Sequence, residues 1–141
     1  MPGIQGITLL VDVSNAVVKL HKHQFGRGPT LARSYFAGTD VLVCVLEHVL
    51  LPAEKKMVEL GQQDRVRESR VAFQAATASD FTAAIEKIVH RKVQAFASGV
   101  DPDKDVVFET VYFERESGGD GNGALTADRA SQLGEDGHVG V

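Results

Sequence analysis

From residue 6 to residue 24, polar and apolar positions alternate with the three-to-four-residue period of an α-helix. Thr8, Asp12, Asn15, Lys19 and His23 form a polar stripe. Leu10, Val13, Val17 and Leu20 make one apolar seam. Ile7, Val11, Val18 and Phe25 make a second, with Ser14 and His21 interspersed. At about 100° per residue the two seams cover roughly 200°, about twice the apolar arc of an ordinary surface helix. Two buried faces are therefore expected, one on the protein's own sheet and one on another helix or a second copy. Gly26-Arg27-Gly28-Pro29 ends the helix: Gly26 suits the left-handed position after a helix, and Pro29 cannot continue one.

The period then changes to two. Leu31 to Ala37 alternates, Gly38-Thr39-Asp40 turns, and Val41 to Val49 follows with Val41, Val43 and Val45 on one side and Leu42, Cys44 and Leu46 on the other. Apolar residues on both sides predict a strand covered on both faces, and the short connection predicts an antiparallel hairpin. Leu51-Pro52-Ala53-Glu54 opens a short helix that Gly61 closes. A long helix over 64–90 carries Val66, Arg70, Phe73, Thr77, Phe81, Ala84, Ile85 and Ile88 along one stripe. Its charged face (Arg65, Glu68, Glu86, Lys87) is expected in solvent. Val93–Ser98 and Val106–Phe113 read as two more strands around an Asp-Pro turn. The order α-β-β-α-α-β-β predicts an α+β fold, a four-stranded antiparallel sheet packed with helices.

Charge and composition narrow the picture. With 15 Lys+Arg against 19 Asp+Glu the net charge is −4, so no basic face for nucleic acid is expected. Residues 117–141 hold four acids, one base and seven of the fourteen glycines, without an aromatic. Such a segment buries too little apolar area to offset its ordering entropy. The expectation is one globular domain over 1–116 and a disordered, acidic, Gly-rich tail over 117–141. No window is apolar enough to cross a bilayer, so membrane insertion is not expected. A lone cysteine fits a reducing compartment, and the expected location is the cytoplasm.

Candidate chemistry is sparse. Gly26, Arg27, Gly28 and Pro29 offer either a chain reversal or a contact for an anion or partner, with Arg27 as a planar donor fork. His21 and His23 are two apart and diverge by about 200° on a helix, so they cannot share a metal. His21, on the apolar side, reads as an interface histidine. Cys44 sits in the strongest strand and reads as packing. Asp101, Asp103 and Asp105 read as a solvated turn. No nucleophile–base set, phosphate loop or dinucleotide fingerprint is present. No catalytic residue, metal or cofactor is therefore expected. The wide arc of the first helix and the two-sided strand predict a twofold homodimer, with Val11, Val18 and Leu42 at its interface.

Three stretches carry a family resemblance: Ser14–Leu20 running into Phe25–Pro29; the hairpin followed by Leu51–Lys55; and Arg70–Ala76 running through Arg91–Phe96 to the Asp-Pro turn. In order and spacing they resemble the MpsC-like family, over roughly residues 5–115. That family is named for a component of a Na+-translocating, membrane-potential-generating system whose other components resemble transporters of dissolved inorganic carbon. The resemblance implies a cytosolic accessory or regulatory protein, associated with cation or bicarbonate transport and with membrane transport subunits as partners. Ser98-Gly99-Val100-Asp101-Pro102 departs from the Asp-Asn-His-like stretch expected of relatives there.

Overall fold

The strands β1 (Leu31–Ala37), β2 (Val41–Glu47), β3 (Val93–Asp101) and β4 (Val106–Phe113) form one antiparallel sheet in the order β1-β2-β4-β3. Three helices accompany it: α1 (Ile4–Phe25), α2 (Pro52–Glu59) and α3 (Gln63–Val89). This is the expected α+β arrangement, and the computed structural model describes it for residues 4–115. The tail expected over 117–141 lies outside the described residues.

Each hairpin is local, but the two meet through the centre, where β2 pairs with β4 from Val41↔Tyr112 to Glu47↔Val106. β2 is two residues shorter than its apolar run. His48 turns to φ 59° and gives its N–H to the Asp105 carbonyl, while the N–H groups of Val49 and Leu50 donate to Asp105 Oδ1 at 2.7 and 2.8 Å. Backbone donors that would have continued the ladder are thus satisfied by the β3–β4 turn. Asp105 is half-buried and braces this corner; the solvated turn expected for the three aspartates does not describe it.

The core lies on one face of the sheet. Leu42, Cys44 and Leu46 of β2 and Val107, Val111 and Phe113 of β4 pack against Val13 and Val17 of α1 and Phe81 and Ile85 of α3. Burying each large aliphatic side chain contributes about 1.5–3 kcal/mol. The expectation that β2 is covered on both faces is not met among the described residues, because α1 and α3 pack on the same face. The opposite face shows half-buried Val41, Val43 and Val45, with Tyr35 and Phe108 49% and 45% exposed.

The wide apolar arc of α1 divides in the same way. Its first seam enters the core. Of its second seam, Phe25 packs on Phe73 at 4.6 Å between ring centroids and Val18 is half-buried, while Ile7 and Val11 remain 57% and 52% exposed.

Candidate functional site

A polar row crosses the inner face of the sheet. Ser34 of β1 lies opposite Cys44 of β2, Cys44 opposite Glu109 of β4, and Glu109 opposite Ser98 of β3. The helices supply partners from above. Ser14 and Ser34 share a hydroxyl hydrogen bond at 2.7 Å, and Ser34 donates to Cys44 Sγ at 3.4 Å. Glu109, with no exposed surface, accepts from Gln74 Nε2 at 2.9 Å, and His21 Nε2 lies 3.3 Å from the same oxygen. His21 is therefore buried inside a single chain, not held between subunits. Glu109 Oε2 and His21 Nδ1 have no hydrogen-bond partner among the described residues.

The Cys44 thiol is pushed up to about 11 from 9.0. Burial is the main cause; the Glu109 charge adds to it and the Ser34 hydrogen bond opposes it. A thiol kept neutral is a poor nucleophile, so Cys44 in the native protein should resist a thiol reagent at neutral pH and react promptly in denaturant. Because its folded pKa is raised, its contribution to stability is complete below the unfolded value near 9 and is lost as the pH rises toward 11. In urea titrations from pH 9 to 11, Cys44→Ala should flatten the decline seen for the native sequence; an equal decline would show that Cys44 is not its source.

One helical turn before Gln74, Arg70 is almost fully buried. Its guanidinium makes two bonds to the Glu54 carboxylate, Nε to Oε2 at 2.7 Å and a second nitrogen to Oε1 at 2.5 Å. It also donates to the Val49 carbonyl at 3.3 Å and lies 4.0 Å from the centre of the Phe25 ring. Glu54 in turn accepts the Leu51 N–H at 2.8 Å, capping the start of α2. A single ion pair thus fixes α2, α3, the end of α1 and the link leaving β2.

The Gly26–Pro29 loop lies beside this knot. Gly26 adopts φ 78°, as a helix stop requires. Gly28 is held by proximity: a Cβ there would sit 3.2 Å from the Val18 carbonyl oxygen and 3.3 Å from Val18 Cγ1. Gly28→Val should therefore destabilise the fold, by about 1–3 kcal/mol as for other overpacking changes, measured by urea unfolding; unchanged stability would mean that the loop yields freely. Arg27 is half-buried and reaches the Leu50 carbonyl at 3.5 Å.

Of the residues expected at a dimer interface, Val11 is exposed, Val18 faces the Gly28 backbone, and Leu42 has no exposed surface. Leu42 is covered by the chain's own helices and cannot be a contact for a second copy. Val11 instead lines a groove of about 370 Å³ between α1 and β1, with Ile7, Leu10, Ala32 and Tyr35 beside it. Among the described residues, no group of three or more His, Cys, Asp or Glu could hold a metal ion, and no helix is long and apolar enough to cross a membrane.

Glu109 and Gln74 were not among the expected site residues. The signal for Glu109 was present: period-two alternation puts it on the same face as Val107, Val111 and Phe113. Glu86, expected in solvent, accepts the Val93 N–H at 3.0 Å and helps start β3.

No curated protein and no solved structure is significantly similar to this chain. The Phe25–Pro29 loop, the Leu51–Glu54 helix start and Arg70 come from three separate stretches and converge on one buried ion pair. These are the stretches that carry the resemblance noted above. The family described as "Na+-translocating membrane potential-generating system (MpsC)" matches over residues 8–115, and the chain belongs to that family.

Proposed function

We propose that this protein is a non-enzymatic, cytoplasmic accessory or regulatory component of a cation or inorganic-carbon (bicarbonate) transport system, acting by contact with membrane transport subunits. The family's description supports the link to sodium translocation and membrane potential. The observation that carries the proposal is the placement of chemistry. The acid, imidazole and thiol of the inner face are enclosed, whereas the groove between α1 and β1 is apolar and open. Exposed apolar surface of this kind marks contact with another macromolecule. The test uses membrane vesicles holding the system's transport subunits and a potential-sensitive dye. Adding the full chain should change the sodium-dependent potential, and Val11→Glu should weaken both that effect and co-sedimentation with the vesicles. No change in potential together with no co-sedimentation would reject the accessory role.

A second function, anion or small-molecule binding at Gly26–Pro29, is favoured by one feature: Arg27 is half-buried, and its bond to Leu50 is at the long limit for a hydrogen bond. Calorimetry with phosphate and with bicarbonate should give heat that Arg27→Ala abolishes. Silence with both removes these anions as ligands.

A further inference from the structure

We propose that the uncovered face of the sheet is the contact surface of a twofold homodimer, with two sheets stacked face to face about an axis parallel to their strands.

An antiparallel sheet with one face in water normally carries polar residues there. This one does not. Its two central strands present Val43 and Val45 beside Thr110 and Phe108. Its charges lie at the rim: Arg33 on the edge strand β1, Glu47 at the end of β2 and Asp101 at the end of β3. An apolar centre within a polar rim is the anatomy of a protein interface.

The face is also asymmetric in a way that makes it complementary to itself. Arg33, Val45, Phe108 and Gly99 form one row across the strands, and Tyr35, Val43, Thr110 and Ala97 form the next. The β1 margin is bulky and the β3 margin is small. Rotation about an axis along the strands, between β2 and β4, lays each β1 over the second copy's β3. Tyr35 then meets Ala97, Arg33 meets Gly99, and Phe108 meets Val45. A twofold axis across the strands would set bulk on bulk at one margin and leave a gap at the other.

Two details support this register. Gly99 has no reason within its own chain to be glycine: its φ is ordinary for a strand, and a Cβ there would meet nothing within 4 Å. A glycine inside a strand often marks close approach by another group, and in the dimer that group is Arg33 of the second copy. The Arg33 guanidinium, extending past Gly99, reaches the neighbouring Asp101 carboxylate. Within one chain β1 and β3 are the two edges of the sheet, so this pairing forms only between copies. Four strands spaced by about 4.8 Å, each about seven residues long at about 3.4 Å per residue, give roughly 450 Å² in plan. Side-chain relief brings the accessible area of such a face toward the roughly 800 Å² per partner of a standard interface.

Light scattering on the full-length protein at tens of micromolar should give twice the 15.2 kDa mass of one chain. Gly99→Leu, which fits the isolated chain, should give a monomer with unchanged far-UV circular dichroism. Arg33→Asp should weaken association by about tenfold or more, and Arg33→Asp combined with Asp101→Arg should restore it. Asp101 also accepts the Lys104 N–H, so the double variant is checked for folding before its mass is read. A native mass of one chain overturns the proposal, as does a dimer that survives Gly99→Leu or that only Val11→Glu dissociates. Dissociation by Arg33→Asp without rescue by the double variant overturns the proposed axis.

Discussion

Replacing Arg70 with methionine is expected to lower the melting temperature by roughly 10–20 °C, the consequence of losing about 3–5 kcal/mol in a domain of this size. Arg70 is held by four interactions from three segments: two to Glu54, one to the Val49 carbonyl and one to the Phe25 ring. Removing it leaves the largely buried Glu54 carboxylate with the Leu51 N–H as its remaining donor among the described residues. The cost is that of a stranded charge more than of a lost attraction. Adding Glu54→Gln should therefore recover a large part of the loss, because the amide oxygen still accepts from Leu51 and carries no charge. Differential scanning calorimetry of the two variants decides the matter: equal melting temperatures would place the cost in lost packing on Phe25.

The second large effect is expected at Glu109. Glu109→Ala removes the acceptor for Gln74 and the neighbour of His21 at a position without solvent access. It also opens a space beneath α1 and α3. Unpaired buried polar groups and a cavity together cost about 3–5 kcal/mol. Replacing all three members with apolar residues of similar volume (His21→Leu, Gln74→Leu and Glu109→Met) should restore most of it, as for other buried polar networks exchanged whole. The midpoint in urea is the measurement. A triple variant no more stable than Glu109→Ala would show that the network contributes net stability of its own.

Most of the element order was legible because it rests on periodicity, which a chain displays directly. The helical spacing of Leu10, Val13 and Val17 and the alternation of β2 both place the right residues inside. The strand order was not legible. Nothing in a local pattern says that β4, and not β3, lies beside β2; that follows from how α3 returns the chain over the sheet. Burial of polar residues was also hard to see, because it depends on partners far away in sequence. Arg70 stood on the apolar stripe of α3 with no visible partner until Glu54 was brought to it. His21 stood in the same position with respect to Glu109. For the candidate site, the helix-stop role of Gly26 was legible, whereas the need for glycine at position 28 came only with the packing of the loop on Val18.

The central β2–β4 seam bears on kinetics. Each hairpin closes over a short turn and can form early, but the seam joins strands separated by all of residues 48–105. Among the strand pairings, closing that span carries the largest loop entropy, so the seam is expected to set the pace of folding. Both ends of the seam are latched by contacts that cannot exist beforehand. At one end Asp105 receives Val49 and Leu50; at the other Arg91 donates to the Thr39 carbonyl and to Asp40. Contacts made after the barrier slow unfolding without hastening folding. The latches thus lengthen the lifetime of the native state, and weakening either one shortens that lifetime while leaving the refolding rate nearly unchanged.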